Sequence, residues 1–442
     1  MEFSRFNIIS KIRDSKDYFL VNLLSGNADI LSPAEAKRVE TVRKDTSIPS
    51  GKFYKELAEK GYFVEGHEEY KTFKKRYLDF IEMRENDEIQ IFFIPDYSCN
   101  FACSYCYQDE YQNPAGSAGR EVIDAFFYYI KREFTSRRKY ITIFGGEPLL
   151  NSRRQKETIS YIADRSVEYG LDLCIVTNGY ALEDYTDILK RTNIREIQVT
   201  LDGTEHIHNN RRFLKGGGVT FDKIVRGIDL CLENQININL RMVLDRENID
   251  NLPDLAGFAI EKGWTSRENF KVQIGRNYEL HHCQNSSKKL FDRLSMYESI
   301  LALSKKHPHI RDFYRPAYSI TKFLSENGEL PDPLFDSCPA CKTEWAFDYT
   351  GKIYPCTATV GKPEESLGTF FPEVTRNDEL IEQWEGRDVT SISDCRECSV
   401  RLACGGGCGS LAKNRNGEVC TPDCRPVREL MELGFSEYFE KR

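Results

Sequence analysis

Cys99, Cys103 and Cys106, within Asp96-Tyr-Ser-Cys-Asn-Phe-Ala-Cys-Ser-Tyr-Cys-Tyr107, place three thiolates in a CxxxCxxC loop behind an apolar run. Three thiolates hold three irons of a 4Fe-4S cube and leave the fourth iron open to another ligand. Electron-transfer clusters use four cysteines, and structural zinc sites close with four tetrahedral ligands. The spacing therefore points to chemistry at an open iron, with a zinc knuckle as the structural alternative.

Nine more of the 15 cysteines fall between Cys338 and Cys424. They run as Cys338-Pro-Ala-Cys341, Gly351-Lys-Ile-Tyr-Pro-Cys356, Cys395-Arg-Glu-Cys398 and Cys404-Gly-Gly-Gly-Cys408, then Cys420 and Cys424. Clustered cysteines of this kind read as metal ligands more readily than as disulfides, and nine is one more than two fully ligated 4Fe-4S clusters require. Structural zinc is again the alternative. Glycines 405 to 407, inside a ligand loop, let main-chain N-H groups face sulfur, where an alanine Cβ would obstruct. Cys174, Cys231 and Cys283 stand apart and read as small core residues. His281-His282-Cys283 has no second ligand pair nearby and reads as a solvated loop.

The elements that must position the first loop are legible between about residues 90 and 310. Strand-like runs cover Ile89 to Pro95, Tyr140 to Phe144, Asp172 to Val176, Glu196 to Leu201, Asn237 to Leu244 and Phe270 to Ile274. Helical spacing covers Glu121 to Phe134, Thr158 to Tyr169, Asp222 to Glu233 and Leu252 to Lys262. Alternation of this kind predicts an α/β fold with parallel strands and right-handed crossovers, a partial six-stranded TIM-like barrel. In such barrels chemistry gathers at the C-terminal strand ends. Gly145-Gly146-Glu147-Pro148, Thr177-Asn178-Gly179, Thr200-Leu-Asp202-Gly203 and Gly275-Arg276 all fall there. Glycines 216 to 218 lack the Lys-Ser or Lys-Thr of a phosphate loop and read as a flexible connection.

Composition sets the outer bounds. The chain of 442 residues has material for two or three domains. Its net charge of -8, with Lys and Arg scattered among acidic residues, gives no footprint for nucleic acid. No apolar run approaches the roughly 18 residues of a membrane span, and the N-terminus lacks a signal-peptide pattern, so a cytoplasmic protein is expected.

The loop of Cys99, Cys103 and Cys106, followed one βα unit later by Gly145-Gly146-Glu147-Pro148, resembles the signature of the radical SAM superfamily. The resemblance implies that these three cysteines hold a 4Fe-4S cluster whose open iron binds S-adenosylmethionine (SAM). It implies that Tyr105 lies against the adenine, and that Gly145, Gly146, Glu147 and Pro148 meet the methionine amino group with Glu147 as acceptor. Asn178 falls among the strand-end cofactor contacts. Thr200, Asp202 and Arg212 resemble the region that binds ribose and carboxylate, with Arg211 or Arg212 equally able to be a surface charge.

From Cys341 onward the pattern resembles the SPASM extension of that superfamily. By resemblance, Cys338, Cys341, Cys356 and Cys408 hold one auxiliary 4Fe-4S cluster, which the short Cys338 to Cys341 spacing leaves open at one iron or fully ligated. Cys395, Cys398, Cys404 and Cys424 hold a second, with Cys420 as the alternative to Cys424. Thr357 follows Cys356 where sulfatase-maturing SPASM enzymes carry an aspartate, which counts against formylglycine formation.

The first 87 residues are expected to form a small α+β, winged-helix-like module. Tyr18 to Leu24 and Ala28 to Leu31 flank a Ser25-Gly26-Asn27 hairpin signal, and Ser32-Pro33-Ala34-Glu35 is a capping box. A module of this kind resembles the N-terminal segments of peptide-modifying SPASM enzymes, some of which grip a leader peptide by strand addition; a structural cap is the alternative. The predicted division is 1–87, a barrel over 88–310 and a SPASM region over 311–442.

Together these resemblances imply a radical SAM oxidoreductase carrying three 4Fe-4S clusters. The expected activity is a peptide maturase forming a thioether or carbon-carbon crosslink, with a precursor peptide and a flavodoxin or ferredoxin as partners, and no nucleic acid or membrane. The alternatives are a SPASM dehydrogenase acting on a small molecule or on Ser or Cys of a protein, and a non-catalytic iron-sulfur or zinc scaffold.

Overall fold

A computed structural model describes residues 1–45, 49–106, 116–277 and 288–439. Tyr107 and the His281-His282-Cys283 trio lie outside the described residues. A large sheet organises the chain. Six parallel strands follow one another in chain order: β6 (Ile89–Ile94), β7 (Lys139–Ile143), β8 (Leu173–Thr177), β9 (Ile194–Thr200), β10 (Ile238–Leu244) and β11 (Phe270–Arg276). Sequential order with no reversal is what a barrel-like winding requires, because each crossover carries the chain to the next strand in one direction.

The crossovers hold α4 (Arg120–Glu133), α5 (Arg153–Glu168), α6 (Thr186–Lys190), α7 (Glu205–Arg211), α8 (Phe221–Glu233) and α9 (Leu252–Glu261). α5 starts five residues before its apolar periodicity becomes visible, because Ser152 Oγ accepts from Gln155 N and caps it. The apolar faces of these helices pack on the sheet, around side chains such as Phe126, Ile162, Ile224 and Leu255.

The C-terminal third is not set apart from this sheet. β12 (Glu344–Asp348) pairs parallel with β6, Glu344 opposite Gln90 and Asp348 opposite Ile94. β13 (Lys352–Tyr354), β14 (Gly368–Thr369) and β15 (Thr375–Arg376) continue it antiparallel, giving ten strands. Around them lie α10 (Arg293–Lys306), α11 (Ile310–Phe313), α12 (Thr321–Asn327), α13 (Asp378–Glu385), α14 (Arg401–Cys404), α15 (Gly409–Asn416) and α16 (Val427–Phe439).

At the other end, β1 (Glu2–Phe3) pairs with β5 (Phe63–Val64), and β2 (Asn7–Lys11), β3 (Tyr18–Asn22) and β4 (Asn27–Leu31) form a separate antiparallel sheet in that order. β2 was not among the predicted strands. α1 (Pro33–Asp45) begins at the capping box: Ser32 Oγ accepts from Glu35 N at 3.3 Å, and Glu35 Oε2 accepts from Ser32 N at 2.9 Å. α2 (Lys52–Glu59) and α3 (Gly66–Asn86) complete this region. It is less independent than its sequence suggests. Phe6, Phe19 and Phe80 share one buried cluster with Phe335, Cys395, Cys404 and Phe435, and the Phe19 and Phe435 rings stack at 4.5 Å.

Candidate active site

The cysteine loop leaves the end of β6 and is clasped from two sides. On one side Ala102 N donates to Phe213 O at 2.9 Å, Ser104 N to Arg211 O at 3.0 Å and Lys215 N to Asn100 O at 2.8 Å. On the other, the turn after β7 presses on it, with Gly146 N donating to Asp96 O at 3.3 Å and Glu147 N to Ser98 O at 2.8 Å. A Cβ on Gly146 would stand 2.1 Å from Ser98 O, so the Gly-Gly pair is needed for the approach of one loop to the other.

Glu147 is 1% exposed and holds the next strand end. Its carboxylate accepts from Thr177 Oγ1 at 2.6 Å, Asn178 N at 2.5 Å and Leu149 N at 2.8 Å. Burial pushes the Glu147 carboxyl up, and these donors oppose the shift. Asn178 Nδ2 in turn donates to Asn100 Oδ1 at 2.8 Å, which returns the chain of contacts to the cysteine loop.

Tyr105, Asp202 and the two arginines form a second buried network. Tyr105 Oη donates to Asp202 Oδ2 at 2.6 Å and accepts from Arg212 Nη1 at 2.7 Å. Arg211 Nη2 pairs with Asp245 Oδ2 at 2.9 Å and Arg211 Nε with Asp202 Oδ2 at 3.4 Å. Both arginines, open in the sequence to a surface reading, are buried, 5% and 9% exposed.

A cavity of about 800 Å³ lies among these loops. Cys99, Cys103, Cys106, Tyr105, Gly145 and Gly146 line one part of it, with Asn178, Thr200 and Arg212 nearby. Glu147, Pro148 and Asp202 stand behind the wall, where they fix the loops that line it. The same cavity reaches the C-terminal third, where Cys338, Cys356, Cys408, Glu344 and Thr357 line it.

The donor sets fit the groups expected from the motifs. Burial pushes the Cys99 thiol up to about 12, followed by the effect of Glu147 and of Cys103 and Cys106, and it raises Cys103 too. Thiols so placed become thiolates when a bound metal centre compensates their charge. Arg212 Nε is buried with no hydrogen-bond partner, a donor directed to an acceptor such as a bound SAM would bring.

In the C-terminal third Cys356 is raised by burial, then by Glu344, Cys338 and Cys408, and Cys341 by burial, then by Glu385 and Cys338, with the Lys342 ammonium opposing the shift. Cys395 is raised by burial and then by Cys404, Cys398 and Cys424. Both Cys420 and Cys424 are exposed, but Cys424 lies beside that set, whereas Cys420 has its Sγ 3.9 Å from Gln383 O. Among the described residues no three His, Cys, Asp or Glu side chains are gathered closely enough to hold a single metal ion.

Sequence reasoning missed several groups. Glu344 Oε1 accepts from Thr357 N at 2.9 Å, which puts a carboxylate beside the residue after Cys356. Arg387, fully buried, donates to Gly406 O at 2.7 Å, Gly407 O at 3.2 Å, Val419 O at 2.8 Å and Thr421 O at 3.1 Å, and so folds the Cys404 to Cys408 loop. Cys174 lines the cavity rather than the core, while Cys231 is buried. Arg241 and Asn239 also face the cavity, and the alternation of Ile-Asn-Leu-Arg-Met-Val-Leu along β10 was the available signal.

Residues 94–259 match the family model of the radical SAM superfamily. Over 371 residues the chain is 24% identical to the serine-type anaerobic sulfatase-maturating enzyme of Bacteroides thetaiotaomicron, covering 77% of this chain and 86% of that one. Among solved structures it resembles native anSMEcpe with bound AdoMet and Cp18Cys peptide, at TM-score 0.62 and 17% identity over 80% of this chain and 98% of that one. It also resembles Streptococcus suis SuiB bound to its precursor peptide SuiA, at TM-score 0.54 and 14% identity over 96% and 99% of the two chains. The chain is an enzyme of the oxidoreductase class, built on a radical SAM domain. Beyond that domain its likeness runs to sulfatase maturases and to SuiB, over most of its length.

Proposed function

We propose that the protein is a maturase that crosslinks a ribosomally made peptide by forming a thioether or a carbon-carbon bond. The observation that carries this reading is the single cavity bounded by Cys99, Cys103 and Cys106 on one side and by Cys338, Cys356 and Cys408 on the other. In this reading the first three cysteines hold the SAM-binding 4Fe-4S cluster. Cys338, Cys341, Cys356 and Cys408 hold one auxiliary cluster, and Cys395, Cys398, Cys404 and Cys424 a second. With SAM bound, these centres would supply one-electron chemistry for removing a substrate hydrogen and a nearby acceptor for the electron left behind.

The chain's own residues bind and orient. Tyr105, Gly145, Gly146, Asn178, Thr200 and Arg212 form the SAM side of the cavity, while Glu147, Pro148 and Asp202 hold those loops from behind. β4, at the edge of the N-terminal sheet with Ile30 47% exposed, offers a strand on which a leader peptide can pair. A flavodoxin or ferredoxin is the reductant this reading expects. Peptides bound to anSMEcpe and to SuiB support a peptide as substrate.

A second reading, oxidation of a serine or cysteine of a protein, is favoured by the likeness to the sulfatase-maturating enzyme over 371 residues. Thr357 counts against it, and the Glu344 carboxylate beside Thr357 counts for it. The test is anaerobic incubation of reconstituted protein, carrying about twelve irons per chain, with dithionite, SAM and candidate peptides. We expect 5′-deoxyadenosine, a peptide lighter by two hydrogens and, for a thioether, loss of iodoacetamide-reactive thiol. A hydrazide-reactive aldehyde would decide for the second reading, and 5′-deoxyadenosine from a Cys99→Ala, Cys103→Ala, Cys106→Ala variant would refute the cluster assignment.

A further inference from the structure

The wall of the cavity is polar along β9, β10 and β11. Gln198, Thr200, Asn239, Arg241, Lys271 and Gln273 line it, Asn239 opposite Gln198 and Lys271, and Arg241 opposite Thr200 and Gln273. Most charges here are matched. Lys271 pairs with Glu196, Arg195 with Glu88 at 2.5 Å, and Arg212 Nη1 donates to Tyr105 at 2.7 Å.

Arg241 differs. Among the described residues its guanidinium has no hydrogen-bond or ion-pair partner. It lies over Gly275 of β11, where a Cβ would come within 3.1 Å of Nη2 and 3.3 Å of Nε. Glycine at that position leaves the slot in which the guanidinium rests. One layer along the same face of β10, Asn239 is 6% exposed. Its Nδ2 donates to Glu196 Oε1 at 2.9 Å, while its buried Oδ1 has no partner. A sheltered cation and a buried orphan acceptor are both costly unless a ligand completes them.

We infer that Arg241, seated on Gly275, is the receptor for a carboxylate in this cavity, with Asn239 Oδ1 accepting from a donor of the same ligand. The planar guanidinium suits a two-point contact with a carboxylate. Resting on the proposed function, the carboxylate is an acidic side chain of the peptide. SAM's own carboxylate is the other source, and Arg212, with its free Nε beside the cysteine loop, is the better candidate for that one.

The test compares wild type and Arg241→Gln, both reconstituted, by calorimetric titration with SAM and, once SAM-loaded, with glutarate and with a blocked tripeptide carrying a central Glu or Gln. We expect the substitution to weaken glutarate and the Glu tripeptide at least tenfold and to leave the Gln tripeptide unchanged. A tenfold loss confined to SAM, absent for decarboxylated SAM, assigns the same receptor to the cofactor. Binding of glutarate without the tripeptide keeps the receptor and refutes the peptide reading. If no carboxylate probe differs from wild type by more than twofold, the inference falls. Should Arg241→Gln fail to fold, wild type alone decides: equal affinity for the Glu and Gln tripeptides overturns it.

Discussion

At the scale of single residues, His208 shows how the buried network sets protonation. Its side chain is fully buried, Nδ1 accepts from Asp202 N at 3.2 Å, and Arg211 and Arg212 stand close by. Burial, then the two guanidinium groups, hold its pKa well below the ordinary value. The unfolded chain therefore binds a proton that the folded one does not once pH drops below about 6.5. The stability His208 contributes is present above that value and is lost as pH falls toward its folded pKa, by up to about 1.4 kcal/mol per pH unit. His208→Asn, which keeps an acceptor for Asp202 N, is expected to flatten this part of the profile in urea titrations at stepped pH. A variant as steep as wild type would show that other groups set the slope. Residues of this kind were only partly legible. Cysteine spacing announces a cluster loop because ligand geometry fixes short intervals. Glu344, Arg241 and Arg387 owe their roles to neighbours far away in sequence, and a lone charged residue reads first as solvated surface.

At the scale of elements, the strands of the parallel sheet were legible because apolar runs bounded by Gly, Pro and Asn leave few other solutions. β12 was not. Its five residues resemble many short segments, and its partner β6 lies more than two hundred positions earlier, so no local signal marks the pairing. The loop of glycines 405 to 407 was read for its main-chain donors. Their φ values of 60°, 74° and 75° fit that need for glycine, and the carbonyls of Gly406 and Gly407 are held by Arg387. Arg387→Lys keeps the charge but cannot span four carbonyls with one ammonium group, and leaves buried acceptors unpaired. We expect a loss of about 3 kcal/mol in unfolding free energy. Iron per chain should fall as well, read by colorimetric assay after reconstitution. Unchanged stability would assign the loop's shape to its glycines alone.

At the scale of the whole molecule, the N-terminal region and the C-terminal third share one core. Arg401, 4% exposed, lies over Phe6 and Phe73 with 4.7 and 5.2 Å to their centroids, and Tyr77 Oη donates to Asp388 Oδ2 at 2.7 Å. A chain restricted to residues 88–442 should therefore lose more than the edge strand proposed to hold a leader peptide. With Phe335, Leu402 and Phe435 stripped of their partners, we expect aggregation or, in soluble material, the loss of about four irons per chain, one 4Fe-4S complement. Retention of all the iron with unchanged melting would restore the independent module that the sequence suggests.

The stack of Phe19 on Phe435 also sets a clock. About four hundred residues separate the two rings, and a ribosome adding 5–20 residues per second needs roughly 20 to 80 s to make them. Throughout that interval the apolar face of the first sheet has only its early partners, such as Phe73 and Phe80, and the core that it shares with Cys395 and Cys404 closes only after synthesis has passed those cysteines.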